Sequence, residues 1–285
     1  MSAAKRSPEE RAGGGTRPTR LAETFAALRA RRERALMPYF TAGDPSLETT
    51  RRLVVEAAKR GADIIELGIP FSDPLADGPV VQRATQRALA AGVTVARVLE
   101  LVRDVRAETA VPIAFLTYYN PILAFGIDAF CRAAADVGAD GVIVADLPPE
   151  EAASLRAATG AARLDLIHFV APTSTPARMR KIARATGAFI YVVSLTGVTG
   201  TRSELPVDLL RYLRTLRGIT TRPIAVGFGI STPEHARLVG RVADGIIVGS
   251  AIVSLVERHA ASSSLVSEVG DFIASLKAPL RAESA

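Results

Sequence analysis

Two carboxylates eleven positions apart, Glu66 and Asp77, are the residues of this sequence best suited to chemistry. Glu66 closes the apolar run Ile64-Ile65-Glu66-Leu67, which reads as a fully buried strand bounded by turn residues. A carboxylate there is costly unless it is paired, protonated or used. If no cation offsets its burial, its pKa is raised, and a carboxyl titrating near neutrality can donate and accept a proton within one turnover. Asp77 follows across the rigid turn IPFSDPLADGP, from where it can face Glu66 across a pocket. Two carboxylates in different surroundings can divide acid/base and charge-stabilising roles. The plainer alternatives are a hydrogen-bonded interior acid for Glu66 and turn or cap residues for Asp77 and Asp73; for Asp73, followed by Pro74, the turn is the better account.

The elements that must position these groups follow from the alternation of the chain. Apolar runs read as strands at 35–41, 63–67, 111–118, 141–146, 164–171, 188–193, 222–228 and 244–249, each followed by a helical pattern. Strands rich in Ile, Val and Leu and separated by helices argue for parallel pairing covered by helices. Eight such units predict a (β/α)8 TIM barrel, an α/β fold in which one domain of about 250 residues is ordinary. The expected organisation is a barrel over residues 19–280 with extra helices. A leading amphipathic helix carries Leu21, Phe25 and Leu28, and a basic, Gly/Pro-containing tail over 1–18 is expected to be disordered. The repeat is one of architecture, with no sequence-level period.

A barrel gathers function at the C-terminal ends of its strands. Asp44, Glu66, Asp77, Asn120, Asp146 and Thr173 all fall at such ends. After strands seven and eight come GFGIS (227–231) and VGSA (248–251), glycine and hydroxyl pieces that hand over to helices. Amides at helix starts bind phosphate. Either piece alone is more often a tight turn; together, at consecutive strand ends, they favour phosphate, held by amides and hydroxyls because neither loop has a lysine.

Composition excludes several classes. The formal charge of +6 comes largely from arginines near the N-terminus, without the interleaved aromatics of a nucleic-acid surface. No stretch approaches the roughly 20 apolar residues of a membrane helix. One cysteine, Cys131, excludes an internal disulfide and fits a reducing compartment, so the cytoplasm is expected. His168, His235 and His259 are scattered without metal-ligand spacing, no strand-end lysine suggests a Schiff base, and no dinucleotide fingerprint is present.

The stretch ELGIPFSDPLADGP (66–79) resembles the signature of the tryptophan synthase α subunit family. PYFTAGDP (38–45), TYYNP (117–121), VADLPPEE (144–151), APTSTP (171–176), GVTG (197–200), GFGIS (227–231) and GSAIV (249–253) accompany it in the family's order. The resemblance covers about residues 20–280. It implies a barrel that cleaves indole-3-glycerol phosphate to indole and glyceraldehyde 3-phosphate by a retro-aldol reaction. It implies Glu66 as the catalytic acid/base and Asp77 as the carboxylate that holds the indole N–H. Tyr191 then stands beside Glu66; Thr199 and Gly200 belong to a closing loop; Gly200, Gly229, Gly249 and Ser250 fall on phosphate positions; and Tyr39, Leu116 and Phe228 wall the indole. It also implies no cofactor in this chain, pyridoxal phosphate belonging to a β subunit in an α2β2 complex. Asp73, Pro74 and TYYNPILAFG (117–126) match regions that press against that partner. Tyr39 departs from a common phenylalanine, so its hydroxyl must find a partner, and Leu195 replaces a residue that can be polar. The alternatives are another phosphate-binding barrel, such as an isomerase, or an idle barrel kept as a scaffold.

Overall fold

The computed structural model describes residues 18–193, 207–227 and 229–282, without the side chains of residues 207 and 208. Within them the chain alternates strand and helix as its apolar runs predict. The strands are β1 (Ala35–Thr41), β2 (Ile65–Gly68), β3 (Ile113–Thr117), β4 (Gly141–Val144), β5 (Asp165–Val170), β6 (Ile190–Val193), β7 (Ile224–Gly227) and β8 (Gly245–Val248). All pair in parallel in sequence order, and β8 returns to β1 to close the barrel. Residues 1–17 of the expected tail over 1–18 lie outside the described residues.

The helices are α1 (Arg20–Ala30), α2 (Leu47–Lys59), α3 (Pro79–Ala90), α4 (Val95–Arg106), α5 (Tyr119–Phe125), α6 (Ile127–Asp136), α7 (Ala153–Ala161), α8 (Pro176–Ala185), α9 (Val207–Ile219), α10 (Pro233–Gly240), α11 (Ser250–His259) and α12 (Leu265–Lys277). The apolar pattern of the sequence predicts one helix after each strand. The structure has two after β2 and two after β3. The first break is at Gly92, with φ +74°, followed by Thr94, whose side chain accepts from Arg97 N. A left-handed glycine and an N-cap threonine are ordinary stop and start signals.

Side chains alternate between two cores because strand residues alternate in direction. Leu36, Ile65, Leu67, Phe115, Val142, Val192 and Val226 face the helices. Met37, Ile64, Ala114, Ile143, Ile167, Tyr191, Ala225 and Ile247 face the barrel axis. Leu21, Phe25 and Leu28 of α1 join this inner cluster, with the Phe25 and Phe189 ring centroids 5.4 Å apart. The leading helix therefore stops the barrel at its N-terminal end. Since Ile65 and Leu67 point out, Glu66 between them points in.

That N-terminal end carries a repeat that has meaning only in three dimensions. The dipeptide Ala-Asp stands immediately before Ile64, Gly141 and Gly245. In each case the aspartate accepts a backbone N–H at the start of the neighbouring strand: Leu36 N to Asp63 (2.8 Å), Ile113 N to Asp140 (2.8 Å) and Ile224 N to Asp244 (2.9 Å). Each also meets a cation. Lys277 Nζ lies 2.8 Å from Asp63, Arg20 and Arg106 lie 2.8 and 3.0 Å from Asp140, and Arg217 pairs with Asp244. Asp140→Ala strips Arg106 of its carboxylate and Ile113 of its acceptor. Removing one partner of a buried pair costs about 3 kcal/mol or more, so urea unfolding should show a loss of that size, with Asp140→Asn losing less because its carbonyl still accepts from Ile113.

Candidate active site

Four elements bring the predicted residues together at the C-terminal mouth. Tyr39 on β1 is the register partner of Glu66 on β2, which is in turn that of Ala114 on β3. Leu116 follows two residues later and packs against both Tyr39 and the inner cluster. Tyr191 on β6 closes the ring: its hydroxyl donates to Glu66 Oε1 at 3.5 Å, and the Phe169 ring packs against it at a tilt of 48° with centroids 4.7 Å apart.

Glycines make this crowding possible. A Cβ on Gly68 would collide with the Tyr39 phenol, and one on Gly227 would meet the Tyr191 ring. The Tyr39 hydroxyl has found its partner in Thr41 Oγ1, 3.2 Å away.

Glu66 is 1% exposed, and its Oε2 has no hydrogen-bond partner among the described residues. Burial raises its carboxyl to about 8; the Tyr191 hydroxyl pulls against this, while the charge of Asp77 adds to it. The two carboxylates thus lie within electrostatic reach of one another. Asp77 too is raised by burial, and the Tyr118 hydroxyl holds it down by bonding its charged form. Burial, reinforced by these carboxylates, keeps Tyr39 and Tyr191 firmly protonated.

Tyr118 is the residue that sequence reasoning missed. It caps the start of α5, accepts from Ala76 N at 3.0 Å and packs its ring, tilted, against Phe71 with centroids 5.4 Å apart. The β3–α5 connection thereby holds the loop that carries Asp77. In the sequence the motif TYYNP reads as partner surface, and nothing in its spacing points back 41 residues to Asp77.

The two glycine loops differ in a way that bears on an anion. The first turn of α10 is satisfied from within, since Thr232 Oγ1 accepts from His235 N. Gly249 caps α11 without a side-chain bond and the first turn has no acidic residue. Free amides and a positive helix end are thus left at Ser250. Ser250 is exposed, and Gly229, with φ +49°, holds the left-handed turn before α10. Thr199, Gly200 and Phe228, together with Leu195, lie outside the described residues.

Asp73 and Pro74 form the outer turn of the Asp77 loop: Leu75 N bonds Asp73 O at 2.9 Å and Asp77 N bonds Pro74 O at 3.1 Å. Leu75 at the tip is 91% exposed, and Leu123 on α5 is 48% exposed. Among the described residues no group of three His, Cys, Asp or Glu could hold a metal ion, and no helix is long and apolar enough to cross a membrane. His168 sits buried on β5 facing the helices. Burial first, then Arg156, pushes it down to about 4, as suits a neutral structural imidazole.

The sequence model of the family described as "Tryptophan synthase alpha chain" matches residues 25–278. The tryptophan synthase alpha chain of Citrifermentans bemidjiense is 49% identical over 259 residues, covering 91% of this chain and 97% of that protein. That of Gloeobacter violaceus is 50% identical over 261 residues, covering 91% and 94%. The crystal structure of tryptophan synthase subunit alpha from Legionella pneumophila superposes with a TM-score of 0.86 at 38% identity, covering 93% of this chain and 99% of that one. With its motifs in order, its barrel closed and relatives near half identity along almost their whole length, the chain belongs to the tryptophan synthase alpha chain family.

Proposed function

We propose that Glu66 and Asp77 divide between them the chemistry of this family's reaction, the cleavage of indole-3-glycerol phosphate to indole and glyceraldehyde 3-phosphate. The observation that carries this is the inward Glu66 carboxyl, raised to about 8 with one oxygen unpartnered, beside a second carboxylate. Near neutral pH Glu66 is mostly protonated and can deliver its proton to the indole C3. The ring then carries positive charge on its nitrogen, and Asp77, ionised and accepting the N–H, stabilises that charge in a desolvated site. As the bond from C3 to the glycerol carbon breaks, its electron pair restores the indole. The adjoining hydroxyl becomes the aldehyde and gives its proton to Glu66. The residue ends as it began.

The remaining residues bind. Tyr39 and Leu116, with Phe228, wall the ring; Tyr191 orients Glu66; and Gly249 and Ser250 at the start of α11, with Gly229 and Gly200, receive the phosphate. Thr199 belongs to the loop that closes over the substrate. The α chain needs no cofactor for this; pyridoxal phosphate belongs to the β subunit with which it works. Exposed Leu75 beside Asp73 and Pro74, and exposed Leu123, form the face that meets that subunit in an α2β2 complex. The enzyme acts in the cytoplasm, as its single buried cysteine suits.

The testing experiment is indole release from indole-3-glycerol phosphate by the purified chain, alone and with β subunit. Slow release alone and at least tenfold faster release with the partner is expected. Full speed alone, with no gain from the partner, would refute the subunit role.

A further inference from the structure

The lyase substrate has two ends, and the reading above puts them on two different helices. Asp77 immediately precedes α3, with Gly78 as its cap, and the phosphate lies at the first turn of α11. One substrate bridges both, so the distance between the two helix starts is part of the active site. Apolar packing joins them over the pocket: Val81 and Ala84 of α3 meet Val253 of α11 and Tyr39 below. Such contacts set a separation but are non-directional and resist sliding weakly.

A charged cluster one to two turns farther along supplies direction. Arg87 of α3 donates from Nε and Nη2 to the two oxygens of Asp44, both at 2.8 Å, and from Nη1 to Glu257 of α11 at 2.7 Å. Arg83, one turn earlier on α3, grips the same Glu257 with two bonds of 2.9 and 2.8 Å. Asp44 is only 4% exposed and lies in the loop after β1, where Gly43 N is held by Thr50 Oγ1 at 3.0 Å. An ionised carboxylate that deep is costly without a partner. The planar guanidinium spends its donors on two carboxylates from separate elements, which fixes orientation as well as distance.

We propose that Arg87 is a positioning residue of the lyase reaction: with Asp44 and Glu257 it locks α3 against α11, so that Asp77 and the phosphate site stand one substrate length apart. This rests on the assignment of Asp77 and the α11 amides above. Displacing reacting groups by about 1 Å can cost 10²-fold in rate, so the expected effect is large although Arg87 touches no substrate.

The test separates the parts of the substrate from the whole. Arg87→Met, measured below its melting temperature, should bind inorganic phosphate and indole within about twofold of wild type. It should lose about 10- to 100-fold in kcat/KM for indole-3-glycerol phosphate, alone and with saturating β subunit, in line with the displacement cost above. Arg87→Lys, a charge without the fork, should recover only part. If Arg87→Met does not fold, Glu257→Gln, which removes the charge at the α11 end of the cluster, carries the same comparison. A lowered Tm with unchanged kcat/KM would reduce the cluster to a structural clasp and overturn the proposal, as would weakened binding of inorganic phosphate itself. Gly249→Val tests the underlying assignment independently: if it binds inorganic phosphate as wild type does, the phosphate site is elsewhere, whatever Arg87 does.

Discussion

Glu66→Gln should lower indole release by about 10³- to 10⁴-fold, the upper range for a positioned acid/base, with little change in KM. Glutamine has the volume of glutamate and can still accept from Tyr191, so the pocket keeps its shape. What disappears is the proton that C3 needs and the base that takes the hydroxyl proton afterwards. The pH dependence carries the same assignment. Since C3 must be protonated first, the protonated form of Glu66 is the competent one, and kcat/KM of the wild-type enzyme should fall as pH rises through about 8, the value to which burial raises the carboxyl. On the acid side it should fall as Asp77 takes up a proton. Rate against pH for wild type and Glu66→Gln decides the matter. Unchanged release by Glu66→Gln in the complex with β subunit would make the barrel a scaffold.

The raised value of Glu66 is first a consequence of the fold, through burial, and only then of its neighbours. The inward position between Ile65 and Leu67 is dictated by strand alternation, and the barrel axis at that level is lined by Tyr39, Leu116 and Tyr191 with no cation among them. This much was legible in the sequence. An apolar run fixes a buried strand, eight such runs fix the barrel, and a barrel fixes which end is functional. What the chain order hides is partnership across distance. Asp44 could be placed at a strand end, but its bond to Arg87 joins residues 43 positions apart. Tyr118 was visible as an aromatic in a loop, yet its hold on Asp77 depends on two connections lying side by side at the mouth. The Ala-Asp dipeptides are too short to notice as a repeat until each is seen accepting an N–H of the preceding strand. The second helix after β2 was written plainly at Gly92 and Thr94, and that after β3 at Gly126, with φ +93°, but a long stretch between strands reads as one helix unless its caps are weighed.

The second large effect is expected at Asp77. Asp77→Asn should lower kcat by about 10²- to 10³-fold, the usual cost of removing one preorganised group that stabilises transition-state charge. The asparagine carbonyl can accept the indole N–H as the carboxylate does, so ground-state binding survives and KM should change little. What is lost is the negative charge opposite the ring nitrogen at the moment C3 is protonated, which separates charge stabilisation from hydrogen bonding. The surroundings of Asp77 fit this division. Burial makes its charge strong by removing water, and the Tyr118 hydroxyl keeps that charge in place against burial. Tyr118→Phe should therefore act in the same direction but more weakly, and should move the acid limb of the pH profile upward, because the carboxylate loses the bond that favours its ionised form. Steady-state kinetics with indole release as the readout checks both. A loss in Asp77→Asn expressed wholly in KM would mean that Asp77 binds the ring without stabilising its charge, and the division of labour with Glu66 would have to be redrawn.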